Sequence, residues 1–128
     1  MDAALVFPVL LLLTFGCVEF GHFFFIKHTM QGAAREGARA AITPGATNTD
    51  VTSAVQIAMN AAGLLSSGYN VQVLNGAGTS SVSAASVAAG SPIQVRVSVG
   101  WGSVGVRPLG LIGTAKQVVG QTVMRKEG

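Results

Sequence analysis

A chain of 128 residues can hold one domain with an appended helix, which excludes two independent cores. Only 10% of the residues are charged, against roughly 25% in a typical soluble domain, while the 49% hydrophobic share is ordinary. The net charge of +3 is spread over Lys27, Arg35, Arg39, Arg96, Arg107, Lys116, Arg125 and Lys126 without interleaved aromatics, which excludes an extended nucleic-acid platform.

The charge deficit is concentrated at the start. No charged residue occurs from Ala3 to Val18, and Leu5, Val6, Phe7, Val9, Leu10, Leu11, Leu12, Leu13 and Phe15 make a nearly continuous apolar surface. A helix over Ala3 to Val18 is about 24 Å long at roughly 1.5 Å per residue, short of a hydrocarbon core of about 30 Å. Continuing to Ile26 reaches the thickness but brings Glu19 and His22 into the apolar stretch, where an ionised carboxylate is costly unless paired or near an interface. A secretory signal would start basic and end in a small-x-small site, whereas Asp2 is acidic and Glu19 to Phe25 is no such site. A plain anchor leaves Glu19 and Pro8 unexplained. The favoured reading is a helix that rests in the membrane and later packs among identical helices.

Pro8 removes one backbone bond and crowds the Ala4 carbonyl, so a kink or local loosening is expected there. Cys17 stands alone in the apolar run and reads as a small hydrophobe. Glu19 either lies near the headgroup level, partly hydrated, or bonds a neighbouring subunit and fixes helix register.

From Phe20 onward the pattern becomes amphipathic. Phe20, Phe23, Phe24, Met30, Ala34, Ala38 and Ala41 are predicted to share one face, with Lys27, Gln31, Arg35 and Arg39 stepping by four beside it. The expectation is one helix of about 40 residues, an apolar shaft over 3–26 and a docking half over 20–41, ended by Thr43-Pro44-Gly45. It forms a spine over residues 1–42, followed by a small globular domain over 43–128.

Within that domain, Asn48-Thr49-Asp50 offers N-cap oxygens for a second helix carrying Val51, Val55, Ala58, Met59, Ala62 and Leu65, with Gly63 or Gly68 as its stop. Tyr69, Val71 and Val73 alternate as a strand before the Asn75-Gly76 turn, and 79–90 reads as a poor edge strand or a loop. The clearest strand runs from Ile93 to Val99, with Ile93, Val95, Val97 and Val99 on one face, Gln94, Arg96 and Ser98 on the other, and Trp101 continuing the apolar side. After a Gly-rich loop through Arg107 to Gly113, a last strand covers about Lys116 to Arg125, with Val118, Thr122 and Met124 on one face. Three strands with one apolar face need a cover. The fold class is therefore α+β: a long hydrophobic spine helix, a short second helix and a small antiparallel sheet. Ala34, Ala38 and Ala41 are expected to dock on Val95, Val97, Val99 and Trp101.

Little in the sequence suggests catalysis or metal binding. His22 and His28 are six apart on the helix, Glu19 and His22 make at most a lone pair, and neither Gly100-Trp101-Gly102 nor Gly110-Leu111-Ile112-Gly113 leads into a phosphate-binding helix. A non-enzymatic protein without cofactor is expected.

Three blocks carry a family resemblance: Asp2-Ala3-Ala4-Leu5-Val6-Phe7-Pro8, Phe15-Gly16-Cys17-Val18-Glu19-Phe20-Gly21, and Gln31 to Ala41 with its Gly-Ala-Ala-Arg-Glu-Gly-Ala-Arg core. Together with the strand-loop-strand from Val95 to Thr122 and the closing Val123 to Glu127, they resemble the TadE-like pseudopilins of tight-adherence (Flp-type) pili, in the type IV pilin superfamily. The resemblance implies insertion in the inner membrane, cleavage by a prepilin peptidase, extrusion by an assembly platform, and an extracellular surface filament. It also implies that Asp2, in place of the usual Glu, neutralises a neighbour's terminal amine during assembly. The family's basic leader is not visible, as expected if processing has removed it or the start is truncated. The visible positive charge alone would place the C-terminal side in the cytoplasm, the reverse of the family topology.

The functional expectation is a structural subunit of a type IV-like filament, a helical homopolymer built through the apolar helix. The alternatives are a minor pseudopilin that primes or tips a pilus, and a monomeric membrane-anchored binding domain.

Overall fold

The computed structural model describes residues 2–104 and 116–127. The Arg107 to Gly113 loop lies outside the described residues.

One helix, α1 (Asp2–Ile42), runs for 41 residues, about 60 Å, and passes through Pro8 without a break in its assignment. It stops where Pro44 disfavours helix in the residue before it and Gly45 takes a left-handed φ of 79°. The second helix, α2 (Asn48–Ala61), is capped by Thr47, one residue before the expected Asn48-Thr49-Asp50 set. Thr47 and Asp50 form a reciprocal capping box, with the Asp50 carboxylate accepting the Thr47 N–H at 2.9 Å. Asn48 does different work. Its Oδ1 accepts the Ala84 N–H at 2.7 Å and ties down the 79–90 segment. Val51, Val55 and Met59 are buried as read from their spacing, but the helix ends before Leu65, which is exposed.

Strands β1 (Asn70–Asn75), β2 (Pro92–Gly100) and β3 (Gln117–Arg125) form an antiparallel sheet with β2 in the centre. The register sets Val73 beside Val95, Val95 beside Thr122, Val97 beside Gly120 and Val99 beside Val118. The α+β class is therefore the observed one. The 79–90 segment is mostly irregular, with a bridge from Ser81 to Leu74 and a 3-10 turn at Ala84–Ser86. Gln94, on the face opposite the valines as expected, is nevertheless buried there, where its Nε2 donates to Gln121 Oε1 at 3.0 Å.

The core lies between the sheet and the two helices. Ala34, Ala38 and Ala41 join Val95, Val97, Val99 and Trp101 in it, all 0–1% exposed. Trp101 opens a four-residue helix, α3 (Trp101–Val104), instead of prolonging β2, and packs edge-on against Phe23 with ring centroids 5.5 Å apart. The predicted face of α1 is rotated where it begins, around 20–26: Phe20 and Phe24 are exposed while Ile26 is buried, and farther along Gly37 is buried as well. Between Phe20 and Ile26 almost every residue is apolar, so hydrophobicity there carries no helical phase. At Gly37 a Cβ would press on Val55 and Val95, so the missing side chain sets how closely α1 meets both α2 and β2.

The C-terminal segment locks the far end of α1. Lys126 is buried, and its Nζ donates to the carbonyls of Ala41 (2.8 Å) and Ala84 (3.0 Å), while the Glu127 N–H reaches the Ile42 carbonyl at 2.9 Å. A cation on the last carbonyls of a helix satisfies orphan acceptors and opposes the negative end of its dipole. Lys126→Met removes two charge-assisted bonds and is expected to cost about 2 kcal/mol or more. The melting temperature of the detergent-solubilised chain should fall by about 10 °C. An unchanged melting curve would show that the ammonium contributes nothing to closure.

Candidate membrane and assembly interface

The first half of α1 is bare. From Leu5 to Phe15 every large side chain of the apolar surface expected to pack among identical helices is exposed, from 40% at Leu11 to 75% at Leu5. Asp2 is also exposed, in the first turn at the far tip. An exposed apolar surface of this size is not tolerated singly in water and marks a contact with lipid or protein. The helix is long and apolar enough to cross a membrane, and it fits a membrane anchor.

The change of environment begins at Glu19. This residue is 0% exposed and engaged within its own chain, so the reading that placed it partly hydrated at the headgroup level is corrected. The physical reason is helical phase. Glu19 lies on the stripe that continues through Phe23, Ile26, Met30, Ala34, Gly37 and Ala41, and that stripe faces the head. His22, one turn on, lies 5.8 Å from the Trp101 ring. Over 19–26 the helix is therefore two-sided: Glu19 and Ile26 are covered, whereas Phe20, Phe24 and Phe25 remain exposed.

Two polar residues fasten α1 to the edge of the sheet. Lys27 Nζ donates to the Val119 carbonyl at 3.0 Å. Four residues on, Gln31 acts as a mock strand: its Nε2 donates to the Gln121 carbonyl at 2.7 Å, and its Oε1 accepts the Gln121 N–H at 3.3 Å. The outward carbonyls of Val119 and Gln121 and the Gln121 N–H are thus paired, which blunts the first half of an edge that could otherwise template another chain. The sequence reading placed Lys27 and Gln31 beside the docking face without this role, and it did not single out Gly120. A Cβ at Gly120 would collide with the backbone of Met30 and Gln31.

A long helix, half bare and apolar and half sealed into a small α+β head, defines a small domain carried on a membrane-anchor helix. More particularly, residues 1–39 match the family described as TadE-like protein. The match spans the bare shaft and most of the docked half, and over that segment it bears out the resemblance to TadE-like proteins of tight-adherence pili. No curated protein and no solved structure is significantly similar. Among the described residues no cluster of three or more His, Cys, Asp or Glu is arranged for a metal.

Proposed function

We propose that this protein is a structural pilin-like subunit of an extracellular type IV-like filament, held in the inner membrane by α1 before assembly and polymerising through the same helix. The observation that carries this reading is the bareness of nine large apolar side chains from Leu5 to Phe15 on a helix whose other half is fixed in a folded head. Lipid and a bundle of identical helices are similarly apolar, so exchange between them changes the hydrophobic energy little. Exposure of the shaft to water is the prohibitive state, at about 1.5–3 kcal/mol per large side chain. Prepilin peptidase and a pilus assembly platform are the partners this reading calls for. Asp2, exposed in the first turn, is the acidic group available to a neighbour's terminal amine. A register contact from Glu19 would require that carboxylate to leave its burial in the head.

A second reading is favoured by the TadE-like match: a minor pseudopilin that primes or tips a pilus made of another protein. Subunit stoichiometry separates the two. Under the first, sheared surface appendages consist mainly of this chain. Recovery of the chain only as a trace beside another pilin would establish the second.

A further inference from the structure

We infer that the cleft between Lys27 and Arg96 is a binding site for the phosphodiester headgroup of an anionic lipid, at the level where α1 leaves the bilayer. The inference rests on the reading of α1 as a membrane helix.

The cleft is lined by Lys27, Gln31, Arg96, Val119 and Gln121 and has a volume of roughly 490 Å³. Its position follows from the helix. Phe24 and Phe25 are exposed on the apolar side, and Lys27 is the next charged residue after the buried Glu19. Lys27 stands two positions beyond Phe25, about 3 Å of rise, so a bilayer that covers the phenylalanines brings its phosphates to the ammonium.

The donors there are incompletely used. Lys27 commits Nζ to the Val119 carbonyl, and an ammonium has three N–H groups. Arg96 donates from Nε to Gln121 Oε1 at 3.2 Å and lays Nη2 over Gly78; among the described residues its terminal nitrogens make no further hydrogen bond, so their N–H groups can serve the charge-assisted contact that guanidinium makes with phosphate. Among the described residues neither cation has a carboxylate within ion-pair distance, in contrast to Arg39, which meets Glu36 at 3.4 Å.

The acidic residues of the chain are all accounted for elsewhere. Asp2 sits at the other end of the shaft, Glu19 is buried, Glu36 lies higher on α1, and Asp50 and Glu127 belong to the distal end of the head. Lys116, exposed beside the start of β3, adds positive charge on the membrane side, since its carbonyl accepts the Trp101 N–H. A basic cleft without exposed acids at the foot of a membrane helix matches the negative surface of an anionic leaflet.

The test uses the full-length chain in nanodiscs of equimolar phosphatidylglycerol and phosphatidylcholine, with the lipids retained after gentle detergent extraction counted by native mass spectrometry. The wild-type chain should retain phosphatidylglycerol preferentially, and Lys27→Gln with Arg96→Gln should reduce that preference about tenfold while insertion persists. Arg96→Gln alone leaves the Lys27 clasp intact and should lower it severalfold, with Lys27→Arg close to wild type. Equal retention of both lipids, or a preference untouched by the double variant, overturns the site and leaves the membrane helix standing. Loss of the preference in millimolar inorganic phosphate assigns the cleft to free anions and overturns the lipid assignment. A wild-type chain that does not insert overturns both.

Discussion

Replacing Leu10 and Leu13 together with Asp is expected to move the protein from the membrane fraction to the soluble fraction and to abolish filament assembly. Both side chains lie mid-shaft, 54% and 62% exposed, and outside the core of the head. On insertion scales Leu at the centre of a membrane helix is favourable by about 0.3–0.6 kcal/mol and Asp unfavourable by about 2.5–3.5 kcal/mol. Two such changes shift insertion by about 6–8 kcal/mol, or four to six orders of magnitude. The head should remain folded, because neither residue touches it, and far-UV circular dichroism with an unchanged melting transition checks that. If the anchor served only a monomeric binding domain, the released protein would still act wherever its ligand is soluble. If α1 is the polymerisation element, no filament forms under any condition. Persistence of the double variant in the membrane pellet would sink the shaft as anchor and as assembly element together.

The fold was legible where pattern and chemistry agreed. The alternation of Ile93, Val95, Val97 and Val99 gave the central strand and its buried face, and Thr43-Pro44-Gly45 gave the end of α1. The phase of α1 near Phe20 was not legible from local hydrophobicity, because a helix apolar on all sides has no preferred face. It could have been obtained by stepping backward by three and four from Ala41 through Ala38, Ala34 and Met30, which leads to Ile26, Phe23 and Glu19. Glu19 resisted a different kind of reading. A carboxylate in an apolar run suggests an interface with water or a neighbour, and only tertiary packing reveals that its own head covers it. Lys126 illustrates the same limit. A terminal lysine reads as solvated, yet its partners Ala41 and Ala84 are 85 and 42 residues away in sequence.

Gly120→Val is expected to detach α1 from the edge of the sheet and to lower the melting temperature by more than about 15 °C. In a strand, glycine reads as a weakness or as a place where another backbone comes close, and sequence alone does not choose between them. Here the second holds, since a Cβ at Gly120 meets the backbone of Met30 and Gln31, which has no rotamer with which to yield. Overpacking of this kind costs about 1–3 kcal/mol. Displacement of the helix also endangers the Lys27 bond to Val119 and both Gln31 bonds to Gln121, at about 1 kcal/mol each. A loss of about 3–5 kcal/mol is large against a typical total of 5–15 kcal/mol, and in a domain of this size each kcal/mol is worth about 4–8 °C. Gly32→Ala supplies the contrast, because nothing lies within 4 Å of a Cβ there and alanine favours helix. Its melting temperature should stay level or rise by a few degrees. Equal melting of Gly120→Val and wild type would mean that α1 does not rest on β3 at Gly120, and the clasp at Lys27 and Gln31 would fall with it.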